Sequence, residues 1–123
     1  MSMYLVRVFD KDTSNYLGIV FIHDDGYIMS LTDWGDFNFH FSAPGGNILK
    51  FLTSINEDYL TKKVANSWVN NNAPKLDDKG YLAIEGKAYM YADKILPSLQ
   101  AAIMKGKYQV YEHTSNGEPQ PQE

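Results

Sequence analysis

The sequence predicts an α+β fold: a four-stranded antiparallel meander packed on one face by two or three helices. Three observations predict it. Residues 1–42 hold four apolar-rich segments separated by short turn-forming clusters. In Asp36-Phe37-Asn38-Phe39-His40-Phe41-Ser42, apolar and polar residues alternate without a fault, so Phe37, Phe39 and Phe41 share one face of a strand and need a cover. From Asn47 onward the period changes: Ile48, Phe51, Leu52, Ile55 and Tyr59 fall at helical spacing and supply that cover.

Taken in order, Met3 to Phe9 reads as a strand with Met3, Leu5, Arg7 and Phe9 on one side and Tyr4, Val6 and Val8 on the other. Asp10 to Asn15 is a turn by composition. Tyr16 to His23 is a nearly continuous apolar strand and therefore central. Asp24-Asp25-Gly26 is a tight hairpin signal, and Tyr27 to Thr32 is the third strand. Asp33-Trp34-Gly35 turns the chain into the Phe-rich fourth strand, whose polar face carries Asn38 and His40. Pro44-Gly45-Gly46 ends it, since proline donates no backbone N–H and glycine supplies turn dihedrals.

Asn47 is a good N-cap for a first helix over about 48–54. Ser54-Ile55-Asn56-Glu57 matches a capping box, which predicts that a second helix begins near Asn56. Leu60, Val64 and Trp68 form its apolar stripe, and Asn70 to Pro74 stops it. Lys75 to Gly86 is turn-rich, with Tyr81 to Ile84 a candidate short strand. A last helix is expected from Lys87 to Lys105, kinked or divided at Pro97 and ended by Lys105, Gly106 and Lys107. Tyr108 to Tyr111 extends briefly. Residues 1–113 thus form one domain, and 114–123, without an apolar residue, form a disordered tail.

Zero cysteines remove disulfides and thiolate chemistry together. The start lacks a basic segment followed by a long apolar run, and no apolar run reaches membrane-span length; a soluble, cytoplasmic protein is expected. The formal net charge of −4 is uneven: residues 1–46 carry six acids and two bases, residues 47–112 seven acids and nine bases. An acidic β half does not suit a nucleic-acid backbone, so no direct nucleic-acid binding is expected.

The chemistry-bearing residues give no reaction. Asp10-Lys11-Asp12-Thr13-Ser14 resembles the start of a calcium loop, but Asn15 and Phe21 stand where that loop needs glycine and a bidentate glutamate. His23-Asp24-Asp25 could seed a metal or acid–base site, but such a metal needs three or four converging ligands and His40 and His113 have no partner at ligand spacing, so neither a metal nor another cofactor is expected. No nucleophile elbow or phosphate loop is present. An alternative ligand site uses Gly45 and Gly46 before the first helix with His23 or His40. The other surface is geometric. In an up-and-down meander the first and third turns meet at one end, which gathers Asp10, Asp12, Asp33 and Asp36 around Trp34. Trp34 there either folds back on the core or anchors a protein interface, where tryptophan is over-represented and the acids steer a basic partner.

Trp34-Gly35-x-Phe37, Gly45-Gly46, Phe51-Leu52 and Asp58-Tyr59-Leu60 with Lys62 and Lys63 resemble a pattern in small phage and prophage accessory proteins, over about residues 34–63. The resemblance implies a phage-type accessory protein that binds a host or partner protein, including host defence complexes, and brings no catalytic residues. The leading expectation is a non-enzymatic protein binder that engages its partner through the acidic rim, in one version inhibiting a nucleic-acid-processing defence complex. A small-molecule or nucleotide binder, or an enzyme, at the Gly45-Gly46 turn, and a structural homo-oligomer using a sheet edge or the open sheet face, are the alternatives.

Overall fold

A computed structural model describes residues 1–42, 45–72, 78–113 and 119–122, with 68–72, 78–82, 113 and 119–122 as backbone only. The fold is α+β. Strands β1 (Ser2–Phe9), β2 (Tyr16–His23), β3 (Tyr27–Thr32) and β4 (Gly35–His40) form the expected antiparallel meander. Helices α1 (Ile48–Ser54), α2 (Glu57–Asn72) and α3 (Asp78–Met104) follow, then β5 (Gln109–His113) and β6 (Pro119–Gln122). The sheet order is β4-β3-β2-β1-β5-β6, so β2 is interior as its apolar run requires.

The chain end differs from expectation. The free edge of β1 offers unpaired backbone groups, and β5 satisfies them over Ser2 to Leu5. β5 in turn presents an edge to β6. The expected tail disorder therefore does not describe residues 119–122, while 114–118 and 123 lie outside the described residues.

Two close approaches in the meander depend on glycine, one inside β2, where Gly18 pairs with Val8 and Thr32, and one in the second hairpin turn at Gly26. Gly18 has φ +153° and Gly26 φ +99°. A Cβ at Gly18 would strike the Leu31 carbonyl, and one at Gly26 would strike the carbonyl of Phe41, to which the Gly26 carbonyl is joined by a hydrogen bond from the Phe41 N–H. That bond ties the second hairpin to the chain leaving β4.

The break after α1 falls where the sequence places it, but by another device. Ile55 is extended (φ −88°, ψ 158°), and Asn56 caps α2 by accepting the Tyr59 N–H at 2.8 Å. Ser54 does not take part in a capping box: its hydroxyl turns back to the Phe51 carbonyl at 2.6 Å. Gln100 of α3 donates to both the Leu52 and Ile55 carbonyls, at 2.9 and 2.8 Å, and so satisfies acceptors that the end of α1 leaves open. Asn47 caps α1 as expected, its side chain accepting the Lys50 N–H.

The candidate strand at Tyr81 to Ile84 is helix. Helix α3 begins at Asp78, because Ile84 already lies on the stripe that continues through Ala88, Tyr91 and Ile95. Pro97 does not divide it. Its ring removes one helical hydrogen bond, yet Ile95 and Leu96 before it and Leu99 after it are buried, and that burial holds both turns in place. The helix closes on Gly106, φ +69°, with the Lys107 N–H on the Ala102 carbonyl.

All helices lie on one sheet face. Phe37, Phe39 and Phe41 are buried there, but their cover is shared differently from the expected roof of Ile48, Phe51, Leu52 and Ile55. Tyr91 of α3 meets Phe37 and Phe39, with ring centroids 4.8 and 6.3 Å away. Helix α1 covers the end of the row, where Phe51 meets Phe41 at 4.9 Å and Lys63 stands over the same ring. Ser30, fully buried beneath α3, shares a hydrogen bond with the Tyr91 hydroxyl. Among the described residues no buried side-chain nitrogen or oxygen lacks a partner.

Candidate interaction surface

Register fixes which side chains point away from the helices. Val6, Val20 and Ser30 lie in one row on the covered face, as do Tyr4, Ile22 and Ile28. The alternate residues form the other face: Leu5 with Phe21 and Met29, and Arg7 with Ile19 and Leu31. Strand β4 adds Asn38 beside Met29 and Asp36 beside Leu31.

This outer face is not the polar surface that Asn38 and His40 suggested. Tyr27 is 60% exposed, Met29 49% and Leu31 46%. Phe9 and Tyr16, in edge contact at 5.5 Å, are about half exposed at one end. A shallow apolar depression of about 260 Å³ lies between Met3, Phe21, Tyr27 and Met29. The signal was in the sequence: the outward positions of the first and third strands, Met3, Leu5 and Phe9 and then Tyr27, Met29 and Leu31, are apolar apart from Arg7.

The acidic rim lies at the Phe9–Tyr16 end. Its two turns are joined where the Asp33 N–H donates to the Leu17 carbonyl at 3.2 Å. The five residues there have different surroundings. Asp10 folds its carboxylate back on the N–H groups of Thr13 and Asp12, which hold it below the usual carboxylate range, so its turn is a hairpin turn. Asp12 pairs with Lys11 on the surface. Asp33 is exposed, and Asp36 belongs to the outer face. Trp34 is half-buried and packs on the core, its backbone N–H donating to the Thr32 hydroxyl.

The residues of the alternative ligand site divide. His23 and His40 both reach the β2–β3 hairpin: His23 Nδ1 is 2.7 Å from the Asp25 carboxylate, and His40 Nε2 is 2.9 Å from the Asp25 carbonyl. Partial burial opposes ionisation of Asp25, but the Tyr27 N–H and then His23 hold its carboxyl below the usual range. The His40 ring also lies on Tyr27 at 4.2 Å. Gly45 and Gly46 form an exposed turn before α1, which is only seven residues long and already capped by Asn47. Among the described residues no group of three or more His, Asp or Glu side chains is placed to hold a metal ion. No helix among them is long and apolar enough to cross a membrane.

Residues 2–83, two thirds of the chain, match the phage family Phage_phiTE_072. The chain belongs to this phage family. The matched segment runs from β1 into α3 and contains the whole meander, hence every outer-face residue of β1 to β4 and the five rim residues. No curated protein and no solved structure matches the phage protein.

Proposed function

We propose that this phage protein is a non-enzymatic accessory protein that binds another protein through the outer face of its sheet, with the acid-bearing turns at one end of the contact. One observation carries the reading: the face opposite the helices exposes Phe9, Tyr16, Tyr27, Met29 and Leu31 together. Soluble proteins rarely leave a contiguous apolar surface of several hundred Å² without a binding use. Aromatic residues and methionine are the types enriched at the cores of protein interfaces. The excess of acids in residues 1–46 favours a partner with a basic rim, and a host nucleic-acid-processing defence complex is a partner of that kind.

The test is capture from host lysate with three forms of the full chain: the natural sequence, Met29→Glu with Leu31→Glu, and Asp33→Ala with Trp34→Ala. The face variant is expected to lose the bound protein while keeping its circular-dichroism melt, because both side chains already face water. The rim variant is expected to weaken capture in a salt-dependent way. Retention of the same partner by the face variant refutes the reading.

A further inference from the structure

We propose that the outer face docks a second copy of this chain, the two sheets stacking about a twofold axis parallel to the strands and midway between β2 and β3. The inference rests on the reading of that face as the binding surface and deepens it: a second copy is the protein the apolar rows take, and a host partner is met by the paired acid-bearing turns of the assembled dimer.

Charge complementarity selects the second copy. Arg7, Ile19, Leu31 and Asp36 form a single row across four strands. A cation ends the row on one side and an anion on the other, three strand spacings or about 14 Å apart. Among the described residues neither makes an ion pair within its own chain. Among the described residues Arg7 has only a long hydrogen bond to the Gln109 side chain, at 3.5 Å. A twofold axis along the strands reverses strand order but leaves each row at its own height. It lays β1 over β4 of the second copy. Arg7 then meets Asp36 of the second copy, and Asp36 meets Arg7, so two symmetric ion pairs bracket the apolar residues between them. An axis across the strands would lay β1 over β1 and lose both pairs.

Shape and area agree with this arrangement. Two sheets with the same right-handed twist, related by a twofold along the strands, keep facing strands aligned, as in the aligned class of sheet stacking. The five exposed apolar residues present roughly 500–600 Å² on each copy, so their complete burial in a dimer removes about 1,000–1,200 Å² from water, the low end for a specific interface. The axis also sets both acidic rims at the same end, doubling the surface offered to any further partner.

Sedimentation equilibrium of the full chain from about 1 to 200 µM tests the proposal. The expected result is a dimer that Leu31→Glu converts to a folded monomer, whose melting curve matches that of the natural chain diluted below its dimerisation range. Arg7→Asp and Asp36→Arg are each expected to weaken it on the order of tenfold or more, and the double swap to restore affinity to within about threefold. A natural chain that stays monomeric, a dimer that survives Leu31→Glu, or a charge swap without rescue overturns the proposal. The two readings fail separately: a monomer whose host-protein capture is lost on Leu31→Glu overturns only the second copy, whereas unchanged capture overturns the host-binding reading whatever the oligomeric state.

Discussion

The pair of Ser30 and Tyr91 ties the helical roof to the sheet, and its removal is calculable. Ser30 is fully buried, and Tyr91 is 1% exposed against Phe37 and Phe39. Ser30→Ala leaves a phenol hydroxyl without a partner in a dry site, which costs about 1–3 kcal/mol. Tyr91→Phe leaves the serine hydroxyl in the same condition at a similar cost. The double variant removes both polar groups, so its loss should be smaller than the sum of the single losses by about 1–2 kcal/mol. For a chain of this size each kcal/mol lowers the melting midpoint by about 4 °C. Urea and thermal unfolding of the four proteins, followed by circular dichroism, give the cycle. Additive single losses, or a Tyr91→Phe protein as stable as the natural one, would refute the buried bond. The placement of α3 over Ser30, and with it the assignment of the opposite face as open, would fall too.

Further expectations follow from the same contacts. Burial raises the Tyr91 phenol well above its ordinary value of 10.0, so folding favours the protonated form. Its contribution is complete below pH 10 and declines as pH rises above 10, by up to about 1.4 kcal/mol per pH unit, a slope that Tyr91→Phe should remove in alkaline unfolding curves. Asp24 accepts from the Ser2 N–H at 2.7 Å and the Tyr4 hydroxyl at 2.9 Å, pinning the start of β1 to the second hairpin. Asp24→Ala should destabilise by about 1–3 kcal/mol and raise hydrogen exchange at β1 before the rest of the sheet. Gln100→Ala should lose about 1–2 kcal/mol in urea unfolding by releasing the Leu52 and Ile55 carbonyls, and Gln100→Glu, whose ionised carboxylate supplies no donor, should not restore it.

Much of the fold is legible in residue order because the local signals agree with one another. The alternation in β4, the glycine corners and the apolar run of β2 each point to the same meander. The interrupted helix was also legible, though its cap is Asn56, since Ser54 found a nearer acceptor in its own helix. The start of α3 was not, because Lys75 to Gly86 carries turn-forming residues and only the stripe through Ile84 and Tyr91 extends the helix backward. The outer face was hidden for a related reason. β4 alternates clearly, and its polar side stood for the whole sheet, although β1 and β3 carry apolar residues outward.

By itself the sequence determined the four meander strands, their turns, the two-part helix and the acid-rich end, because short-range sterics and hydrophobic period act on neighbouring residues. Only tertiary structure decided which sheet face the helices took. Apolar residues stand on both sides of β3, and burial went to Ser30 while Met29 and Leu31 stayed in water. The register that aligns Ser30 with Phe37 decides it: the Phe row needs the roof, and the strands hydrogen-bonded to it turn the same side inward. The β5 and β6 additions were likewise decided by the unpaired edge of β1, a feature that exists only once the sheet has formed.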